Sequence, residues 1–385
     1  METASLIQRS PSNEGAETTL FGWFSAPIRI LSVLTLFLST VACSDSSGDV
    51  TVRYLDAPPR PEDIVQATEN GPAIVSAIAT SPSDTGAGLY LIDTQSGAQD
   101  AAILYWDPEN ASETFSSNSC GLTEAARIAP HGIAIDRSRA PQHLFVVTHA
   151  PVEAVLVYDI KYANKELRLT ESSCIAIPQG VFANAVTGFG SRGLAITKMF
   201  DPRDGEPFEK FSDQEVTGSV LTWSPAAGWQ EHPHIRLSGP NGILWDEHTG
   251  SLIVAEWARR RIVQIPAAPA GGQLRDAKEL ATLPYMPDNL RWSAAGTILT
   301  TGQASSIAEG HDCITGSGIC PTGFEITSID IVTGNAKQIA LISSNTFGMA
   351  SVAAPVNDRL WIGSVSGNQI AEVIVSHPLV SEGEN

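Results

Sequence analysis

Six strand heads recur along this chain at a spacing that few architectures allow. They are Glu69-Asn70-Gly71-Pro72, Pro130-His131-Gly132-Ile133, Asn184-Ala185-Val186, Pro240-Asn241-Gly242-Ile243, Pro287-Asp288-Asn289-Leu290 and Gly348-Met349-Ala350-Ser351. They stand roughly 50 to 60 residues apart, the length of one four-stranded propeller blade with its loops. Between them run short apolar strands and Gly/Asn/Asp/Ser turns, with almost no helical periodicity. Strand pairs flank turn signals at Thr94-Gln95-Ser96-Gly97, Thr333-Gly334-Asn335 and Ser366-Gly367-Asn368. The expected fold is all-β, a six-bladed β-propeller. Ring closure removes exposed sheet edges and makes one cooperative domain. A pair of β-sandwiches is the alternative, and it gives no reason for such a repeat.

In a propeller the innermost strand of each blade runs along the central channel, so the six heads would converge. The fullest of them is Gly239–Asp246, which leads into strands at Ser251–Trp257 and Arg261–Ile265. Asn241-Gly242 reads in two ways. Asn-Gly is the commonest tight-turn dipeptide, and an Asn carboxamide at a strand mouth is also a neutral oxygen ligand for a hard cation. Recurrence along the chain favours the second.

The first 50 residues are of another kind. An apolar run of about 13 residues, Ile30–Ala42, follows Arg29; it is short for a membrane span and fits the core of a secretory signal. It ends in Thr40-Val41-Ala42-Cys43, which resembles a bacterial lipobox. The expected organisation is a signal and lipoprotein leader over 1–43, a tether and irregular lead-in over 44–67, and the propeller over 68–385. The mature protein would be an exported lipoprotein on the periplasmic or outer face of a membrane, held there by the lipid alone, and a monomer. Cys120, Cys174, Cys313 and Cys320 remain. An even number in an exported protein reads as two disulfides, with Cys313 and Cys320 closing a short loop and Cys120–Cys174 left over; four reduced thiols are the other possibility.

The net charge of −19 speaks against nucleic acid as a partner, because phosphates demand Lys and Arg patches. There is no Gly-x-Ser-x-Gly elbow, no His-Glu-x-x-His, no Walker loop and no dinucleotide fingerprint. His232 and His234 have the spacing of metal ligands but read as part of a surface loop beside Trp229. What remains is the polar set at the heads: Glu69, His131, Asn184, Asn241, Asp288 and Asn289. Carboxylates with carboxamides make a calcium-type oxygen set rather than a zinc set. A calcium ion so held keeps residual charge and open positions, and can polarise a carbonyl and stabilise an oxyanion. His131 would stand beside it as a general base titrating near neutrality. His149, which ends the next strand, could orient it or relay its proton.

Pro130-His131-Gly132-Ile133, with His143–His149 and Val155–Tyr158, resembles the second-blade segment of the paraoxonase/arylesterase family. Ser351-Val352-Ala353 with Arg359–Val365 is similar to that family's closing segment. More broadly the pattern resembles the gluconolactonase-like six-bladed propellers, which include strictosidine-synthase-like members. The resemblance implies a calcium-dependent hydrolase of lactones or aryl esters, acting on a small-molecule substrate. Asn184, Asn241, Asp288 and Asn289 would hold calcium, and His131 and His149 would form the base pair. Two departures stand out. The paraoxonases have an adjacent Glu-Asp pair in the first blade, where this chain reads Ala73-Ile74, so Glu69 is taken as the single glutamate of the gluconolactonase pattern. Ala185 follows Asn184 where the paraoxonases have an acid for a second, structural calcium. A non-catalytic ligand- or protein-binding propeller and a strictosidine-synthase-like enzyme are the competing functions.

Overall fold

The fold is described by a computed structural model covering residues 50–375 except 80–83, 103, 107–119, 121–126, 139, 164–165, 189–192, 268–273, 317–319 and 321. The leader and Cys43 lie outside the described residues. Among those described, the strands β1 to β25 form six sheets, five of four strands and one of five. The innermost strands are β2 (Pro61–Gln66), β7 (Pro130–Asp136), β11 (Phe182–Gly188), β15 (Pro240–Asp246), β19 (Met286–Trp292) and β23 (Ala350–Val356). They contact one another in that order, and β23 returns to β2. This is the expected six-bladed β-propeller.

Burial explains why these strands read as apolar runs rather than alternating ones. Strand β9 (Ala154–Ala163) sends Val155 and Val157 into the interface with the third blade, and Leu156 and Tyr158 into the interface with the first. A strand buried on both faces has no polar face to show.

The start of the chain corrects the expected boundary. The stretch 44–67, expected as a tether and lead-in, holds two strands. β1 (Val50–Asp56) pairs antiparallel with β25 (Gln369–Val375) as the outer strand of the last blade. This joins the two ends of the ring, so the propeller includes Val50–Gln66 and is not confined to residues from 68 onward. β2 is the innermost strand of the first blade, followed by β3 (Ala73–Ala77). Asn70-Gly71, expected as that blade's head, is the turn between them: Asn70 has φ 57° and the Gly71 N–H donates to Thr68 O at 2.9 Å. His232 and His234 lie on strand β14 (Gly228–Leu237), where they bond Thr222 Oγ1 and Leu274 O, each at 2.9 Å. Both disulfides are present, Cys120–Cys174 and Cys313–Cys320. No helix among the described residues is long and apolar enough to cross a membrane.

One irregularity repeats six times. Each innermost strand carries one extra residue against its neighbour, at Pro61/Asp63, Pro130/Ile133, Ala183/Val186, Pro240/Ile243, Pro287/Leu290 and Ala350/Ala353. Such a bulge bends the strand and re-aims a side chain. The re-aimed residues are Glu62, His131, Asn184, Asn241, the Asp288-Asn289 pair and Ser351.

Candidate functional site

Five of those residues meet at one end of the channel. Glu62, His131, Asn184, Asn241 and Asp288 line a single cavity of about 1040 Å³, with His149 beside them. Glycines allow the strands to come this close. A Cβ on Gly132 would lie 2.5 Å from Asn184 O, and one on Gly242 would lie 2.6 Å from Asp288 O. Gly242 is thus a close-approach residue inside a strand, and Asn241-Gly242 makes no turn.

The second residue set holds the first in place and leaves its oxygens facing inward. Asn289 Nδ2 donates to Glu62 Oε1 at 2.5 Å. Gln303 Nε2 donates to Asp288 Oδ2 at 2.8 Å, and Trp257 Nε1 donates to Gln303 Oε1 at 2.6 Å. Among the described residues the other oxygen of each carboxylate, Glu62 Oε2 and Asp288 Oδ1, has no partner, and neither has Asn184 Oδ1 or Asn241 Oδ1. An unsatisfied buried polar group costs about 1–3 kcal/mol. Four together therefore cost roughly as much as the whole net stability of a domain, about 5–15 kcal/mol. Four orphaned oxygens from four blades, two of them carboxylate, fit a hard cation such as calcium. Among the described residues no group of three His, Cys, Asp or Glu could hold a metal, so a site here must draw on the carboxamides.

Charge gives the same picture. Burial, and then the charges of Asp63 and Asp288, raise the Glu62 carboxyl well above its ordinary range. Burial, with the Asp63 charge adding to it, pushes Asp288 up to about 7. Both groups resist ionisation together, and a cation between them would reverse that.

The histidines form a chain. His149 Nδ1 lies 2.9 Å from Glu153 Oε2, and His149 Nε2 lies 2.8 Å from His131 Nδ1. A carboxylate accepts only, so His149 Nδ1 carries the proton and Nε2 accepts. His131 must then donate from Nδ1, which leaves the lone pair on Nε2, where it accepts from Asn184 Nδ2 at 3.4 Å. Phe182 stacks on His149 with centroids 4.2 Å apart and fixes the ring. Burial, with His149 adding to it, lowers the His131 pKa to about 3. The expected titration near neutrality is therefore corrected: desolvation keeps His131 neutral across the whole physiological range, with its lone pair unprotonated but weakly basic.

The walls above are apolar. Helices α1 (Phe208–Ser212) and α2 (Ile307–Thr315) pack together beside the cavity, with the ring centroids of Phe208 and His311 4.3 Å apart. Phe200, Phe211 and Trp257 complete that side of the cavity.

Of the expected residues, His131, His149, Asn184, Asn241 and Asp288 come together as anticipated. Asn289, expected as a ligand, lies behind them: it does not line the cavity, and its Nδ2 holds Glu62 Oε1. Glu69 does not join them. It is exposed and lines a different cavity, with Asp246 and His248, because it sits in the turn after β2. Its place is taken by Glu62, which stands next to Asp63. The first blade thus carries an adjacent Glu-Asp pair after all, at Glu62-Asp63 and not at Ala73-Ile74. Glu62, Glu153 and Gln303 were not anticipated.

Fold and channel define a six-bladed β-propeller as the class of structure. Among solved structures the chain is similar to a luciferin-regenerating enzyme, with TM-score 0.52 and 11% identity over 86% of this chain and 97% of that one. It is also similar to a gluconolactonase from Xanthomonas campestris, with TM-score 0.50 and 16% identity over 86% of this chain and 91% of the other. At such identities the likeness carries the fold alone. Comparison with protein-family models finds no match, and comparison with curated proteins finds none.

Proposed function

We propose that this protein is a calcium-dependent hydrolase of lactones or aryl esters. Glu62, Asn184, Asn241 and Asp288 would hold the metal, with Asn289 and Gln303 orienting the two carboxylates. The observation that carries this is the set of four orphaned oxygens beside a neutral histidine whose unprotonated Nε2 lies against Asn184. The Glu62-Asp63 pair adds support, since it removes one departure from the paraoxonase pattern. Neighbours of similar fold include a gluconolactonase, itself named for a lactone.

Calcium, when bound, would polarise the substrate carbonyl and balance the charge that develops on its oxygen. The rest falls to the chain. His131 Nε2 takes a proton from water as that water attacks the carbonyl carbon, and returns it to the ester or lactone oxygen as the acyl C–O bond breaks. The charge so formed on His131 is shared through Nδ1 with His149, whose own Nδ1 is held by Glu153. Glu153 is fixed in turn by the Ala183 N–H at 2.9 Å. Phe182, Phe200 and Phe208 offer an apolar wall to the acyl or aryl part of the substrate and exclude bulk water. In this reading the leader ending at Cys43 puts the enzyme on the outer side of a membrane, acting as a monomer on small molecules.

A panel of an aliphatic lactone, gluconolactone and an aryl acetate tests this on metal-free protein. Turnover of at least one member is expected to be absent after chelation and to return with calcium. Hydrolysis that survives chelation unchanged, or no hydrolysis of any ester or lactone by calcium-loaded protein, would remove the proposal.

A further inference from the structure

One buried cation in the channel is already supplied by the chain. Below the orphaned oxygens, Asp63 is fully buried, and its Oδ2 accepts from the Ile133 N–H at 2.8 Å. Its Oδ1 takes the Ile64 N–H at 2.9 Å and the guanidinium of Arg291. Arg291 comes from the fifth blade and is itself largely buried. Its Nη2 also reaches Ile133 O at 3.2 Å, and its Nε reaches Ile64 O at 3.1 Å. One carboxylate and two backbone carbonyls from the first and second blades, with Leu290 O of its own strand at 2.8 Å, therefore surround a single positive group. That is the donor set a hard cation takes. The third blade adds no acid, because Ala185 has none to give.

We infer that Arg291 is a tethered cation that takes the place of a second, structural metal ion, so that the chain binds one divalent cation and not two. The guanidinium neutralises Asp63 and ties three innermost strands together directly beneath the site. Each of these strands carries a site residue one or two positions away from the tie: Glu62 beside Asp63, His131 before Ile133, and Asn289 before Arg291. Arg suits the task because its planar fork meets several oxygens at once and its charge cannot be lost on burial. A metal in the same position would leave the protein dependent on two calcium ions; the arginine leaves only one exchangeable. This rests on the proposed function only for the count of one at the upper site.

Calorimetric titration of calcium into metal-free protein is the test, together with metal-free melting temperatures. Wild type is expected to bind one calcium per chain. Metal-free Arg291→Met leaves Asp63 buried and unpaired, and should melt on the order of 5–10 °C lower. Calcium should then bind at two sites per chain, the second weakly, because Asp63 and the two carbonyls are free to take it. Replacing both charges, Asp63→Asn with Arg291→Met, should recover most of the lost melting temperature and return the count to one. Two calcium ions on wild type would overturn the inference, and so would an Arg291→Met protein with one calcium and an unchanged melting temperature. If Arg291→Met does not fold, the double variant should still fold and bind one; its failure as well would make Arg291 a packing residue and overturn the inference. Wild type that binds no calcium at all would sink the proposed function instead, while the metal-free comparison of single and double variants would still decide the role of Arg291.

Discussion

Asp288→Ala is expected to abolish lactone and aryl-ester turnover together and to weaken calcium binding by on the order of 10²-fold or more. Asp288 is one of only two carboxylates with an orphaned oxygen in the cavity. Without it one acidic and two amide oxygens remain for a cation that takes 6–8 ligands. Stability should move the other way. In metal-free protein burial first, and neighbouring carboxylates after it, raise the pKa of both Asp288 and Glu62, so removing one relieves the cost of burying an ionisable group. Metal-free Asp288→Ala is thus expected to melt no lower than metal-free wild type, although Gln303 loses a bonding partner. Calorimetry and a thermal melt with and without calcium measure both effects. Retained turnover would show that Asp288 holds no catalytic metal.

His131→Gln should act on rate alone. Removing a positioned general base lowers turnover by roughly 10²–10⁴-fold, while calcium affinity should stay within a few-fold of wild type, because imidazole is not among the orphaned oxygens. Gln keeps a donor near His149 and a similar volume, so the melting temperature should hardly change. The signs of the two substitutions therefore separate metal from base: one loses affinity and rate, the other rate only. Since burial keeps His131 neutral down to about pH 3, its protonation should not limit the wild-type rate between pH 6 and 8. A His131→Gln protein that hydrolyses at the wild-type rate would leave the histidine chain without a catalytic role.

Five of the six blade heads were legible in the sequence, because the innermost strands are apolar on both faces and each opens with a polar residue at a bulge. The first was not. Pro58-Pro59-Arg60-Pro61 has the composition of an irregular segment, and the nearby Asn70-Gly71 imitates Asn241-Gly242. The two dipeptides do different work: Asn70 turns the chain with a positive φ, whereas Gly242 clears space for Asp288. The signal was nevertheless present. Pro61-Glu62-Asp63-Ile64 repeats the order proline, polar, any residue, apolar seen in Pro130–Ile133, Pro240–Ile243 and Pro287–Leu290. Glu153 and Gln303 belong to no repeat. Glu153 lies in the turn after His149 and meets it at i,i+4, and Gln303 ends the strand paired beside Asp288, so a turn and a strand pairing bring them to the site with no repeated motif to mark them. The joining of β1 to β25 is invisible locally, since it pairs residues at opposite ends of the chain.

The central claim is that the orphaned oxygens of Glu62, Asn184, Asn241 and Asp288 form one calcium site. Calcium titrated calorimetrically into metal-free Glu62→Gln and Glu69→Gln, beside wild type, tests it most directly. Glu62→Gln removes a buried negative charge at the site and should weaken binding on the order of 10²-fold, while the exposed Glu69→Gln should bind as wild type does. Equal affinity in all three proteins, or a loss confined to Glu69→Gln, would contradict it.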